Sequence, residues 1–88
     1  TVMIIKNMED YIHVLDPTAQ SELEADVREE CSKFGPVDEC LIHLDDAHQT
    51  VSVYVRFTTE DALREAIQVM NHRWFGGRQI VAHEYDVD

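Results

Sequence analysis

The octet TVSVYVRF at residues 50–57 alternates without a break. Val51, Val53, Val55 and Phe57 fall on one side, and Ser52, Tyr54 and Arg56 on the other. Successive side chains of a strand point to opposite faces, so this is a strand with one face on a core. A lone strand is not stable in water; it needs neighbouring strands and a second layer over its apolar face. What surrounds it in an 88-residue chain therefore decides the fold.

The flanking sequence supplies both. VMIIKNM (2–8) is apolar and rich in branched side chains, and reads as a strand central in its sheet. Residues 9–16 show no clear period and read as a loop. Asp16-Pro17 opens a long helix: proline suits the first turn, and Glu22 and Glu24 follow near the positive end of the helix dipole. Phe34-Gly35-Pro36 stops it. At about 100° per residue, Leu23, Val27, Cys31 and Phe34 lie within about 80° of one another and form its buried stripe. VDECLIHL (37–44) is a second strand of open register, joined to the octet by the polar hairpin loop DDAHQ (45–49). TTEDALREAIQVMN (58–71) is a second helix, capped by Thr58 or Thr59, with Ala62, Ala66, Ile67 and Met70 on its buried side. RQIVAHEY (78–85) is a last strand. The order β-α-β-β-α-β predicts an α+β, ferredoxin-like fold: a four-stranded antiparallel sheet with both helices on one face. Residues 1–88 read as one domain, near the small end of what folds alone.

Charge narrows the function. Seven Lys and Arg stand against eighteen Asp and Glu, a net charge of −11. Such a balance opposes a phosphate-rich partner and favours a cationic one. Cys31 and Cys40 both fall in apolar patterns and are expected to be reduced and buried, as in an intracellular protein. No apolar run approaches the ~20 residues that span a membrane. The chain opens on Thr1, without a signal peptide, and is expected to be a piece of a longer protein. None of the five histidines pairs with His or Cys at zinc-site spacing. No phosphate loop or nucleophile elbow is present, so neither metal, cofactor nor catalysis is expected.

One stretch stands out from this acidic background. MNHRWFGGRQ (70–79) places the only tryptophan beside a phenylalanine, among two arginines and two glycines. The first helix offers it a counterpart. Relative to Leu23, Glu30 projects at about −20°, Asp26 at about −60° and Glu22 at about −100°. Glu22 and Asp26 read equally well as solvated surface. Glu30 borders the core and needs a cation or hydrogen bonds to offset its desolvation. Arg73, on the segment that passes the helix ends in this fold, is the candidate.

These residues resemble the RNA recognition motif over nearly the whole chain. IIKNM (4–8) lies where that family has its first signature, TVSVYVRF occupies the second, and FGPV (34–37) and ALREAIQVMN…FGGRQI fit the segments between and after. RNA-binding members stack bases on aromatic rings of the first and third strands. Here the first-strand position is Ile4, and the second signature begins Thr50-Val51-Ser52, without its basic residue, glycine and first aromatic. Tyr54 is the one stacking ring that survives, with Lys6 and Arg56 as the cations on that face. His72 stands where the family often has glycine, so that turn is expected to carry slight strain or a different shape.

What the chain gains elsewhere resembles the U2 auxiliary factor homology motif, the protein-binding branch of that family. Its hallmarks are an acidic first helix and an Arg-x-Phe sequence, here ELEADVREECSKFG (22–35) and Arg73-Trp74-Phe75. RWFGGRQI with VREECSKFG looks closest to the Tat-specific factor 1 group of splicing factors. The resemblance implies a nuclear domain that binds a short peptide of basic residues followed by tryptophan, the U2 auxiliary factor ligand motif. It implies an indole held between Phe75 and the Arg73–Glu30 pair, with Glu22 and Asp26 attracting the peptide's Lys and Arg. Trp74 lies between the two motif residues and is expected to point away, as a possible second contact. The implied partner is the large subunit of splicing factor 3b or another early spliceosome protein. The domain is expected to be a monomer with little or no direct RNA binding. The alternative is an RNA-binding domain that uses Tyr54.

Overall fold

The strand expected at residues 50–57 is Thr50–Phe57, and it lies inside a four-stranded sheet. The computed structural model describes residues 1–85. In chain order the elements are β1 (Val2–Lys6), α1 (Tyr11–Val14), α2 (Pro17–Cys31), β2 (Val37–Asp45), β3 (Thr50–Phe57), α3 (Glu60–Met70), β4 (Trp74–Phe75), β5 (Arg78–Gln79) and β6 (Val81–Tyr85). The sheet order is β2-β3-β1-β6, with every pair antiparallel. The alternating octet explains why β3 is an inner strand. Val51, Val53, Val55 and Phe57 are all buried, together with Met3 and Ile5 of the central β1. The long helices α2 and α3 close over that face through Leu23, Val27 and Cys31 on one and Ala62, Leu63, Ala66 and Met70 on the other. This is the ferredoxin-like arrangement that the sequence order predicts.

Helix limits follow local chemistry. Asp16 caps α2 by accepting from the Thr18 amide, with Pro17 at the first position. Thr59, one of the two candidates, caps α3 by accepting from the Ala62 amide at 3.2 Å. Pairing of Val37 with Phe57 and Asp45 with Thr50 settles the open register of β2, with an irregularity between Val37 and Glu39.

Three expectations are corrected. Residues 9–16 are not simply a loop. Tyr11–Val14 makes one helical turn capped by Asp10, and Tyr11 and Val14 are buried. Four residues are too few to show a period, so only tertiary burial reveals this turn. Ile67 is half-buried rather than inside; Leu63 takes the interior place. The last strand does not run unbroken from residue 78. Arg78–Gln79 pairs with Trp74–Phe75 in a separate ribbon, and only Val81–Tyr85 joins β1.

Close approach fixes one glycine. A Cβ at Gly35, in the turn after α2, would sit 2.7 Å from the Cβ of Ala62 on α3. We expect Gly35→Ala to force the two segments apart and to destabilise by roughly 1–3 kcal/mol. A thermal melt should then show a midpoint lower by about 5–15 °C. An unchanged midpoint would mean that the start of α3 yields freely.

The cysteines are both free and buried. Burial pushes the Cys31 thiol up to about 12 and the Cys40 thiol up to about 11. Only thiolate attacks a disulfide reagent. At pH 8 the native domain should therefore leave both thiols unreacted with Ellman's reagent, while the chain in denaturant should titrate two. Fast labelling of the native domain would show that one thiol reaches the surface.

Candidate functional site

The site forms where the ribbon after α3 meets the last turns of α2. Gly76 and Gly77 close the ribbon at φ +53° and +80°. A two-residue hairpin with left-handed backbone at both central positions calls for such residues, which explains the glycine pair. In the ribbon Trp74 pairs with Gln79 and Phe75 with Arg78. Neighbouring strand residues face opposite ways. Phe75 accordingly packs partly against the core, and Trp74 is 65% exposed. His72, at φ +67°, takes the left-handed backbone that glycine would adopt more easily.

Hydrogen bonds to Asn7 hold the ribbon in place. Arg78 donates to the Asn7 carbonyl at 3.2 Å and to its side-chain oxygen at 2.7 Å, and the Asn7 amide group donates to the Gln79 carbonyl at 2.9 Å. Asn7 has φ +65°, a conformation that asparagine tolerates better than most residues. The loop after β1 and the ribbon are thereby tied together.

Glu30 supplies the facing wall. Its Oε1 lies 3.1 Å from an Arg73 Nη2, and the Arg73 guanidinium carbon lies 4.7 Å from the centroid of the Phe75 ring. Its Oε2 lies 2.6 Å from Lys33 Nζ. The Glu30 side chain is 19% exposed, which agrees with the border position on the helical wheel. The Lys33 hydrogen bond, with the charges of Lys33 and Arg73, holds its carboxyl below the ordinary glutamate value against the opposing effect of burial.

Beside this chain of contacts is a cavity of about 390 Å³. Met8 and Leu23 give it an apolar floor, Phe75, Gly76 and Arg78 line one side, and Glu9, Asp26, Glu29 and Glu30 line the rest. Of the residues singled out in the sequence, Glu30, Phe75 and Asp26 line the cavity together. Arg73 touches Glu30 and Phe75 but does not line it. At 4.7 Å from the ring it leaves no room for an indole between the two, so the expected slot between Phe75 and the Arg73–Glu30 pair is closed by the guanidinium itself. Glu22 is exposed on α2 and does not line the cavity, and Trp74 points away from it. Sequence reasoning missed Met8, Glu9, Glu29 and Arg78. Arg78 had a signal: a Gly-Gly pair between two short segments marks a hairpin, and its cross-ribbon partner is Phe75.

The open face of the sheet also differs from expectation. Tyr54 has company: Tyr85 of β6 packs edge-on to it with ring centroids 5.0 Å apart, and His43 lies 6.4 Å away on the other side. Of the two cations expected there, Arg56 is within 4.0 Å of Asp38 and 3.8 Å of Glu39, so its charge is partly offset. Ile4 pairs with both Tyr54 and His83 and is almost fully covered, so it offers no platform of its own.

Known proteins extend this picture. The family model described as RNA recognition motif matches residues 19–81. The poly(U)-binding-splicing factor PUF60 of Mus musculus is 40% identical over 92 residues, covering 98% of this chain and 15% of its own length. The 17S U2 SnRNP complex component HTATSF1 of Homo sapiens is 39% identical over 89 residues, covering 97% of this chain and 11% of its own. The two identities are nearly equal and single out neither group. The chain thus spans about a sixth or less of the length of these relatives. Among solved structures, the third RNA recognition motif of Pes4 superposes with a TM-score of 0.76 at 16% identity, covering 99% of this chain and 93% of that one. The N-terminal three RNA binding domains of the yeast splicing factor Prp24 match with a TM-score of 0.74 at 23% identity, covering 99% and 33%. At such identities these likenesses speak for the fold. Sheet order, helix placement and the match over residues 19–81 agree: the chain belongs to the RNA recognition motif family, as a domain related to splicing factors of the PUF60 and HTATSF1 type.

Proposed function

We propose that this domain is a protein-interaction module of a pre-mRNA splicing factor, of the U2 auxiliary factor homology motif type. Its cavity takes the tryptophan of a short basic peptide. The observation that carries this reading is one line of contacts: Glu30 to Arg73 at 3.1 Å, and Arg73 over Phe75 at 4.7 Å, beside an apolar-floored cavity of about 390 Å³. That volume falls in the range of roughly 300–1,000 Å³ usual for ligand sites. An incoming indole would lie against the Phe75 ring over the Met8 and Leu23 floor, while Arg73, stacked on that ring and bound to Glu30, holds the ring in place from outside the cavity. Asp26, Glu29 and Glu9 at the walls suit the peptide's Lys and Arg, and Glu22 on the same helix extends the negative field. Burying an indole of ~200 Å² contributes roughly 5 kcal/mol gross, and exposed ion pairs add roughly 0–1 kcal/mol each. Ordering a flexible peptide opposes this by several kcal/mol. The outcome is moderate, salt-sensitive binding dominated by one side chain.

The family is a non-catalytic one, and the chain is not an enzyme. The relationship to splicing factors supports a nuclear domain. The partner we favour is the tryptophan-containing segment of the splicing factor 3b large subunit, with other early spliceosome proteins offering the same chemistry. Net charge of −11 on each copy opposes self-association, so a monomer is expected.

A second reading is favoured by the Tyr54–Tyr85 pair, which offers two rings for base stacking on the open sheet face. Titrations of a Lys/Arg-Trp peptide, the same peptide with Trp replaced by Ala, and a short uridine-rich RNA separate the two. Tryptophan-dependent peptide binding, with RNA at least about tenfold weaker, supports the peptide reading. RNA binding that Tyr54→Ala removes, with the peptides ignored, reverses the ranking.

A further inference from the structure

We propose that Lys33 is a built-in competitor for the Glu30 carboxylate and so sets how strongly the cavity selects cationic ligands; this rests on the peptide-binding reading above. Glu30 presents two oxygens at the rim, and the chain's own cations fill both. Arg73 Nη2 is 3.1 Å from Oε1, and Lys33 Nζ is 2.6 Å from Oε2.

The two contacts act differently. Arg73 also lies over the Phe75 ring, so its bond to Glu30 holds a wall of the cavity. Lys33 comes from the turn after α2, its side chain is 66% exposed, and that side chain has no other hydrogen bond or ion pair among the described residues. Its ammonium group stands where a Lys or Arg of the ligand would otherwise stand.

The other wall carboxylates are in a different state. Glu9, Asp26 and Glu29 line the same cavity and take part in no ion pair among the described residues. An arriving cation meets open carboxylates there and an occupied one at Glu30. To use Glu30 it must displace Lys33, which exchanges one surface ion pair for another with little net gain. Lys33 also holds a positive charge beside the ligand's basic residues and opposes their approach. Both effects act on the ligand's cations and leave the indole contact alone. Lys33 is thus a specificity-determining residue, separate from the wall that holds the ring.

The test pairs Lys33→Met, which keeps an apolar stem and removes the charge, with Lys33→Arg, which keeps it. Each variant and the wild type are titrated with a Lys/Arg-Trp peptide and with the same peptide bearing Ala at its basic positions. Circular dichroism checks the fold, which an exposed side chain should not disturb. We expect Lys33→Met to bind the basic peptide about threefold more tightly, with a steeper salt dependence, and the Ala peptide unchanged. Lys33→Arg should match the wild type. This coupling between Lys33 and the ligand's charges is what a purely structural lysine would not show.

An equal gain for both peptides overturns the proposal, because Lys33 would then act on the ring cavity itself. No gain, or a loss, with the basic peptide overturns it as well. Phe75→Ala, run alongside, tells the two levels apart. Binding that depends on Phe75 but ignores Lys33 removes only this inference. Wild-type binding that ignores Phe75 removes the peptide reading and this inference together.

Discussion

Phe75→Ala should cost about 2–3 kcal/mol of peptide binding, a loss of about 30–150-fold, while the domain stays folded. The ring does two jobs. It lines the cavity as the apolar face against which an indole would lie, and it carries the Arg73 guanidinium 4.7 Å from its centroid. Truncation removes the first surface outright and leaves Arg73 held only by Glu30. Phe75 is partly rather than wholly buried against the core, so the cost to stability should be smaller, about 1–2 kcal/mol. Calorimetric titration with the Lys/Arg-Trp peptide reads the first figure, and a thermal melt reads the second. Retained affinity in a folded variant would refute the ring-stacking geometry.

Glu30→Lys should be nearly as damaging to binding and for a different reason. The substitution puts a third cation beside Arg73 and Lys33, at a position only 19% exposed in the wild type. Arg73 loses the carboxylate that holds it over Phe75, and the ligand's basic residues meet repulsion. We expect a loss of about 2–3 kcal/mol, with a flatter salt dependence than the wild type. The milder Glu30→Gln gives a pH signature. The Glu30 carboxyl is held below its ordinary value of 4.5, first by the Lys33 hydrogen bond and then by the two cationic charges. A group whose pKa falls on folding stabilises the native state above its unfolded pKa. The contribution of Glu30 should therefore be complete from neutral pH down to about 4.5 and fade only as acid titrates the lowered carboxyl. Melting curves of wild type and Glu30→Gln should differ at neutral pH and converge in strong acid. A constant gap across that range would show that the carboxylate charge is not what matters.

Much of the scaffold was legible from local pattern. Period-two alternation in residues 50–57 and the caps at Asp16 and Thr59 rest on interactions within a few residues, so they read directly from sequence. The Glu30 position was legible too, since a helical wheel fixes which side chain borders the core. The turn at Tyr11–Val14 was not. It exists because Tyr11 and Val14 find burial, and Tyr11 also donates to Asp46 of the distant β2–β3 turn.

The chain alone determined the order of the four sheet strands and the two long helices, the acidic surface, and the placement of a guanidinium and an aromatic ring two residues apart. It did so because periodicity, capping and charge are local properties of a polymer. Only the tertiary structure decided that Arg73 meets Glu30, that Lys33 shares the same carboxylate, and that Met8 and Leu23 line one cavity with Phe75. It alone decided that Tyr85 stands beside Tyr54 and that Asn7 ties down the ribbon. Each of these contacts joins segments whose meeting depends on how the sheet and helices pack together. Short-range rules of the backbone do not encode such meetings; burial of the shared core does.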